Sequence, residues 1–105
     1  MVSQSVSAII KTTVHSIIPD ARVVLFGSMV RGDNVKNSDY DLLIVTKDTI
    51  PVKEKIGWMG RLHGALVNAL DAPVDVLLNS EEEVQQKKQL VGHIVRLAMK
   101  EGLEL

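Results

Sequence analysis

RVVLFGSMVRGDNVKNSDYDLLIV, residues 22–45, is the stretch of this chain that decides its fold. Its two ends, Arg22–Phe26 and Tyr40–Val45, are short runs rich in β-branched and aliphatic residues, a composition typical of buried strands. The segment between them is polar and begins with Gly27 and Ser28, so the chain is expected to turn there, with a single helical turn starting at Ser28. The stretch therefore predicts two strands joined by a polar connection.

Outside this stretch, helical and strand patterns alternate along the chain. Apolar residues at intervals of three and four predict helices, and short apolar runs predict strands. The elements predicted in this way are helices over Val6–Ile18 and Lys53–Leu70, a strand over Pro73–Leu78, a third long helix from the capping box Ser80–Glu83 to about Lys100, and a short final strand over Leu103–Leu105. This alternation predicts an α/β protein with one small sheet. The length of 105 residues predicts a single domain, spanning 1–105.

Charge and aromatic content exclude several classes of nucleic-acid-binding protein. Lys and Arg number 12 and Asp and Glu number 13, which gives a net charge of −1. A protein that coats DNA or RNA needs a basic face, and a single-strand binder needs aromatic side chains for stacking, which make up only 3% of this chain. We therefore expect no direct nucleic-acid binding, whereas a phosphate-bearing small molecule held with metal ions remains compatible with the composition.

Cysteine content and hydropathy restrict the kinds of site that the chain can form and the cellular compartment that we expect for it. The chain has no cysteine, which excludes disulfides, thiolate zinc sites and cysteine nucleophiles. No apolar run approaches the ~20 residues of a membrane span. Residues 1–10 lack the basic stretch followed by an apolar one that a secretory signal would have. We expect no membrane segment and a cytoplasmic location.

Three aspartates in or beside predicted strands are the candidate catalytic and metal-binding residues. Asp39 and Asp41 are two positions apart, so both side chains leave the same face of the strand. Two neighbouring carboxylates repel each other unless a cation lies between them, and clustered hard oxygens suit Mg²⁺ or Mn²⁺. Asp75 interrupts the apolar run PVDVLL, where an unpaired buried carboxylate would be costly. If the two strands are neighbours, the three acids form the ligand set of a two-metal phosphoryl-transfer site.

Gly27, Ser28 and Arg31 are the candidate phosphate-binding residues. Glycine permits close approach of a ligand to the backbone, and the Ser28 hydroxyl with the free N–H groups of the following turn can bind an anion. Arg31 lies one helical turn further on, where its guanidinium can bind a phosphate bidentately. The alternatives are ordinary structural roles: a turn and cap at Gly27-Ser28, and a surface arginine at Arg31. For the aspartates, the alternatives are a solvated strand start and, at Asp75, an edge-strand acid facing water.

The pattern of Gly27-Ser28, then Asp39-x-Asp41, then a later strand aspartate, Asp75, resembles the nucleotidyltransferase superfamily of DNA polymerase beta. The sequence GSMVRG…SDYDLLIV is similar to that of the minimal stand-alone members of this superfamily. The resemblance implies a mixed sheet flanked by helices, the nucleotidyltransferase fold. It also implies transfer of a nucleoside monophosphate, with ATP as the expected donor, to a hydroxyl, with two Mg²⁺ ions held by the aspartates and the triphosphate held by Gly27 and Ser28. Arg31 keeps a second basic position near this pair.

The resemblance also implies a partner. Small members of the family resemble antitoxins that pair with an all-helical ribonuclease toxin of the HEPN type, in which a tyrosine can be the acceptor. Many minimal members have Arg directly after Gly-Ser, where this chain has Met29. Larger relatives bind the acceptor with an added domain, so a partner or a second copy of the chain is expected to supply that surface. The alternative function is a non-catalytic binding module that neutralises the toxin by contact.

Overall fold

The computed structural model describes residues 3–31 and 39–105. Gly32, Asp33 and Asn34 favour a turn within the predicted polar connection, and this predicted turn lies outside the described residues. In chain order the elements are α1 Gln4–Ile17, β1 Arg22–Phe26, α2 Ser28–Arg31, β2 Tyr40–Thr46, α3 Val52–Leu70, β3 Val74–Ser80, α4 Glu81–Lys87, α5 Ile94–Glu101 and β4 Leu103–Glu104. The strands and the first two long helices start and end within two or three residues of their predicted bounds.

The four strands form one mixed sheet in the order β3-β2-β1-β4. β1 pairs antiparallel with both β2 and β4, whereas β2 and β3 are parallel. The parallel pair is possible because α3 crosses between its two strands, which is the usual connection for parallel neighbours. The mixed sheet with flanking helices is the predicted fold, and it is confirmed.

Strand alternation divides the core into two layers. Leu42 and Ile44 of β2 point to the side covered by α1 and α3, whereas Leu43 and Val45 point to the side covered by α4 and α5. All four side chains are fully or almost fully buried. β2 is therefore covered on both faces, which is why its sequence is an apolar run rather than an apolar–polar alternation.

The prediction of one long helix after the capping box is wrong. α4 ends at Lys87 and α5 starts at Ile94, and the connection contains Gly92 with a φ of 79°, a left-handed conformation that a continuous α-helix does not contain. The helical spacing of Val84, Val91, Ile94, Val95 and Ala98 predicts that all five face inward, but Val91 and Ile94 are 90% and 48% exposed. His93 caps α5, because its Nδ1 accepts a hydrogen bond from the Val95 N–H at 3.1 Å.

The glycines of α3 do not pack as predicted. Glycine in a helix costs up to ~1 kcal/mol against alanine, so Gly57, Gly60 and Gly64 predict close packing on a neighbouring element or, alternatively, a face that meets a partner. Among the described residues, nothing lies within 4 Å of the position that a Cβ would take at any of the three. They leave a flat, open surface on the helix. Within residues 3–31 and 39–105, no helix is long and apolar enough to cross a membrane.

Candidate active site

Asp41 and Asp75 face each other across two parallel strands. β2 and β3 pair in the register that sets Asp41 beside Asp75, so their side chains leave the same face of the sheet. That face is the one covered by α4 and α5, because Leu43, two residues after Asp41, packs in that layer. Asp75 is exposed, since β3 is at the edge of the sheet, whereas Asp41 is half-buried.

The electrostatics of Asp41 are unfavourable for its charged form. Burial raises the pKa of the Asp41 carboxyl, and so do the negative charges of Asp75 and Asp39 and a hydrogen bond with the Asp75 carboxyl. The positive charge of Arg31 opposes these effects and is the smallest of them. A carboxylate crowded by two others is a local cost to folding that a bound cation would remove.

The donor set of these aspartates suits a hard divalent cation. Facing carboxylate oxygens are the ligands that Mg²⁺ and Mn²⁺ prefer, and a cation between Asp41 and Asp75 would relieve the repulsion that raises the pKa of Asp41. Asp39 lies one residue before β2 and acts on Asp41 through its charge. In the described part of the chain, no three His, Cys, Asp or Glu side chains form a ready cluster around one metal position. Joint ligation by all three aspartates therefore stays a prediction.

Gly27 is required where it lies. Its φ is 80°, which only glycine adopts easily, and a Cβ at this position would collide with the Asp41 carboxylate. The residue directly follows β1 beside the acid pair, since Phe26, the last residue of that strand, pairs with Asp41. Its carbonyl accepts hydrogen bonds from the backbone N–H groups of Val30 and Arg31, both at 3.1 Å, which forms the short helix α2 that begins at Ser28. Gly27 therefore brings backbone against a carboxylate.

Arg31 and Gly27 share an acceptor that the sequence analysis missed. Oε1 of Glu101 accepts a hydrogen bond from Arg31 Nη1 at 3.0 Å and another from the Gly27 N–H at 3.3 Å. Glu101 is the last residue of α5, where the helix macrodipole disfavours an acid. An acid at a helix C-terminus is the sequence signal that could have marked this residue.

A separate apolar cleft lies at the other end of β2. Ile18, Ile50 and Trp58 line it together with Thr46, the last residue of that strand. Thr46 lies five positions along the strand from Asp41, a distance of roughly 17 Å. The cleft is therefore distant from the carboxylates and plays no part in the site described here.

Comparison with known proteins identifies the family of this chain. The family model described as "Nucleotidyltransferase domain" matches residues 7–104. A curated protein of Methanocaldococcus jannaschii, named as a protein adenylyltransferase, is 45% identical over 47 residues, which are 43% of this chain and 48% of that protein. The chain thus aligns with about half the length of that relative.

Solved structures share the fold. A minimal nucleotidyltransferase has a TM-score of 0.66 at 21% identity, with 97% of this chain and 94% of that chain covered. A toxin–antitoxin complex with AMP-PNP has a TM-score of 0.59 at 21% identity, with 90% and 70% covered. The toxin–antitoxin MntA–HpeT, in a form with two Asp-to-Glu substitutions two positions apart, has 0.59 at 24% identity, with 94% and 70% covered. Because the family model spans residues 7–104 and the fold agrees with it, this chain belongs to the nucleotidyltransferase domain family.

Proposed function

We propose that this nucleotidyltransferase transfers AMP from ATP to a hydroxyl group of a partner protein, with Mg²⁺ as its metal. The observation that carries the proposal is the register of β2 and β3, which sets Asp41 against Asp75 beside the tight turn at Gly27. Two carboxylates in contact with an anion-binding turn suit a metal-bound triphosphate better than any other ligand class. The adenylyltransferase name of the curated relative supports AMP as the group transferred.

The nucleotide phosphates would lie against Gly27, Ser28 and Arg31. The Gly27 N–H and the Arg31 guanidinium already hold one anionic oxygen, that of Glu101, so their donors point toward a common position. Guanidinium and backbone N–H groups are the usual ligands of phosphate oxygens. Ser28 starts α2 directly after Gly27, and we assign its hydroxyl as the third donor to the phosphates.

Asp39, Asp41 and Asp75 would hold the metal, as two Mg²⁺ ions or Mn²⁺ in their place. When bound, the metal supplies positive charge that neutralises the triphosphate and acidifies the acceptor hydroxyl. The hydroxyl oxygen bonds to the α-phosphorus, and the bond from that phosphorus to the bridging oxygen breaks, which releases pyrophosphate. Asp75 is exposed at the sheet edge, where an acceptor can approach, and we assign it as the group that takes the hydroxyl proton.

The role we propose is that of an antitoxin acting on an all-helical HEPN-type ribonuclease, with a toxin tyrosine as acceptor. The toxin–antitoxin complexes among the solved structures of this fold support the role. The alternative is a binding module that neutralises the toxin by contact alone. The exposed apolar residues Leu90 and Val91 between α4 and α5 favour it, because such a surface can bind a protein without chemistry. A second copy of this chain is the other candidate occupant of that surface.

The test is transfer of the labelled α-phosphate of ATP to a co-expressed helical partner of the HEPN type, with a pull-down of the same partner. We expect wild type to label the partner and Asp39→Asn with Asp41→Asn to lose transfer by orders of magnitude, because removal of a metal's charge costs several kcal/mol at ~1.4 kcal/mol per tenfold. Asp20→Asn with Asp48→Asn is the matched control, since it removes two exposed charges at the far end of the sheet. If wild type labels nothing while wild type and variant both bind the partner, the binding module is the function.

A further inference from the structure

Glu101 occupies the donors that the proposed function assigns to phosphate. One oxygen, Oε1, accepts from both Arg31 Nη1 and the Gly27 N–H, at 3.0 and 3.3 Å. The Glu101 side chain is 23% exposed, so it lies mostly inside the site rim rather than in solvent. A carboxylate oxygen and a phosphate oxygen make the same demands on an arginine and a backbone N–H.

The position of Glu101 is fixed by the packing of the chain that follows it. A Cβ at Gly102 would collide with the Ala98 carbonyl and with a methyl group of Val24, so only glycine lets α5 end this close to β1. β4 then pairs with β1 directly after that glycine, through Leu103 and Glu104. The end of α5 is therefore clamped on β1, and the Glu101 side chain is held over the end of that strand.

We propose that Glu101 is an affinity-determining residue of the nucleotide site, a built-in carboxylate that competes with the triphosphate for Gly27 and Arg31. The inference rests on the proposed function, because it needs the phosphates at this turn. A phosphate that binds both donors must displace the carboxylate, so the apparent Kd equals the intrinsic Kd divided by the fraction of molecules in which the Glu101 contact is open. A partly exposed ion pair of this kind is worth about 1 kcal/mol, which corresponds to about fivefold in Kd.

The experiment is titration calorimetry of the full chain with ATP and Mg²⁺, and separately with inorganic tripolyphosphate. We expect Glu101→Gln to tighten the Kd about fivefold for both probes. Glu101→Asp keeps the charge but shortens the side chain, so we expect it to tighten the Kd by less than Glu101→Gln does. If Glu101→Gln tightens binding and Glu101→Asp leaves it unchanged, the effect is long-range charge and the proposed contact competition is wrong. If Glu101→Gln weakens binding, Glu101 positions Arg31 for the phosphate and the proposal is again overturned.

A matched control and a double variant separate this inference from the proposed function. Glu104→Gln also removes an acid paired with an arginine, Arg22, but outside the site, and is expected to leave the Kd unchanged. Arg31→Ala is expected to weaken binding and to remove the gain of Glu101→Gln, a coupling that a purely structural role would not produce. If Ser28→Ala and Arg31→Ala leave ATP binding unaffected, the phosphate site of the proposed function fails. If they weaken it while the Glu101 variants change nothing, only the role of Glu101 fails.

Discussion

The two ends of β3 carry acids in opposite electrostatic situations. At its start, Asp75 faces Asp41, and the pKa of Asp41 is raised. At its end, Ser80 begins α4 with a capping box, and Glu83 is surrounded by donors. Both ends pair with the same neighbouring strand, and both contain carboxylates within one small domain.

The side chains of Ser80 and Glu83 are both hydrogen-bonded at the capped end. The Glu83 carboxylate accepts from the Ser80 N–H at 2.8 Å and from Lys55 Nζ at 3.2 Å, while the Ser80 hydroxyl accepts from the Glu83 N–H at 3.1 Å and from the Thr49 hydroxyl at 2.9 Å. Burial alone would raise the pKa of Glu83, but these hydrogen bonds with the charges of Lys55 and Lys87 outweigh it and hold the pKa below its usual value. The charge at this end stabilises the fold.

The electrostatic surroundings of these acids distinguish a functional carboxylate from a structural one better than residue type does. Both ends of β3 have acids nearby, and a sequence pattern alone treats them alike. At the capped end the surroundings favour the charged carboxylate, whereas at the Asp41 end they disfavour it. A protein keeps such a cost where a ligand removes it, so the unfavourable end is the functional candidate.

The largest expected effect on stability is at the capped end. Ser80→Ala removes the buried hydroxyl that caps α4, and we expect the free energy of unfolding to fall by about 1–2 kcal/mol, measured by urea denaturation. Ser3→Ala is the matched control, because Ser3 caps α1 from an exposed position, and we expect it to cost less. Equal losses of unfolding free energy in the two variants would contradict the larger contribution that we assign to the Ser80 cap. Transfer per folded molecule should be unchanged in both variants.

A smaller effect on stability, of opposite sign, is expected at the start of β3, where Asp75 faces Asp41. Asp41→Asn removes one of two facing charges, so the variant should unfold at a higher temperature than wild type in buffer with EDTA. Added Mg²⁺ should stabilise wild type and narrow the difference, because a ligand that binds only the folded state stabilises it. Asp48→Asn, in an exposed loop, is expected to show neither effect. A less stable Asp41→Asn in EDTA would mean that the contacts of Asp41 with positive charge dominate.

Sequence patterns predicted the sheet and the acid pair because both depend on short-range alternation. Asp41 and Asp75 each interrupt or border an apolar run, and the crossover by α3 brings such runs side by side. The break between α4 and α5 was missed, because the helical spacing of apolar residues continues across Gly92, whereas the backbone there is not helical. Glu101 was missed for another reason: 74 residues separate it from Gly27, and no local pattern reports a contact at that distance.

The smallest effect is a pH dependence that should differ in sign between the ends. Because the pKa of Glu83 is lowered in the folded protein, its stabilisation is present above its ordinary value of 4.5 and is lost as pH falls through the lowered pKa. Glu83→Gln should therefore cost less than ~1 kcal/mol at neutral pH, and the difference from wild type should shrink below about pH 4.5.

The raised pKa of Asp41 reverses the sign, since its relative stabilisation is present at low pH and is lost as pH rises through that raised value. The gain from Asp41→Asn should therefore grow with pH in metal-free buffer, and urea unfolding of both variants from pH 3 to 7 measures the two slopes. Parallel slopes would show that the two ends are electrostatically alike.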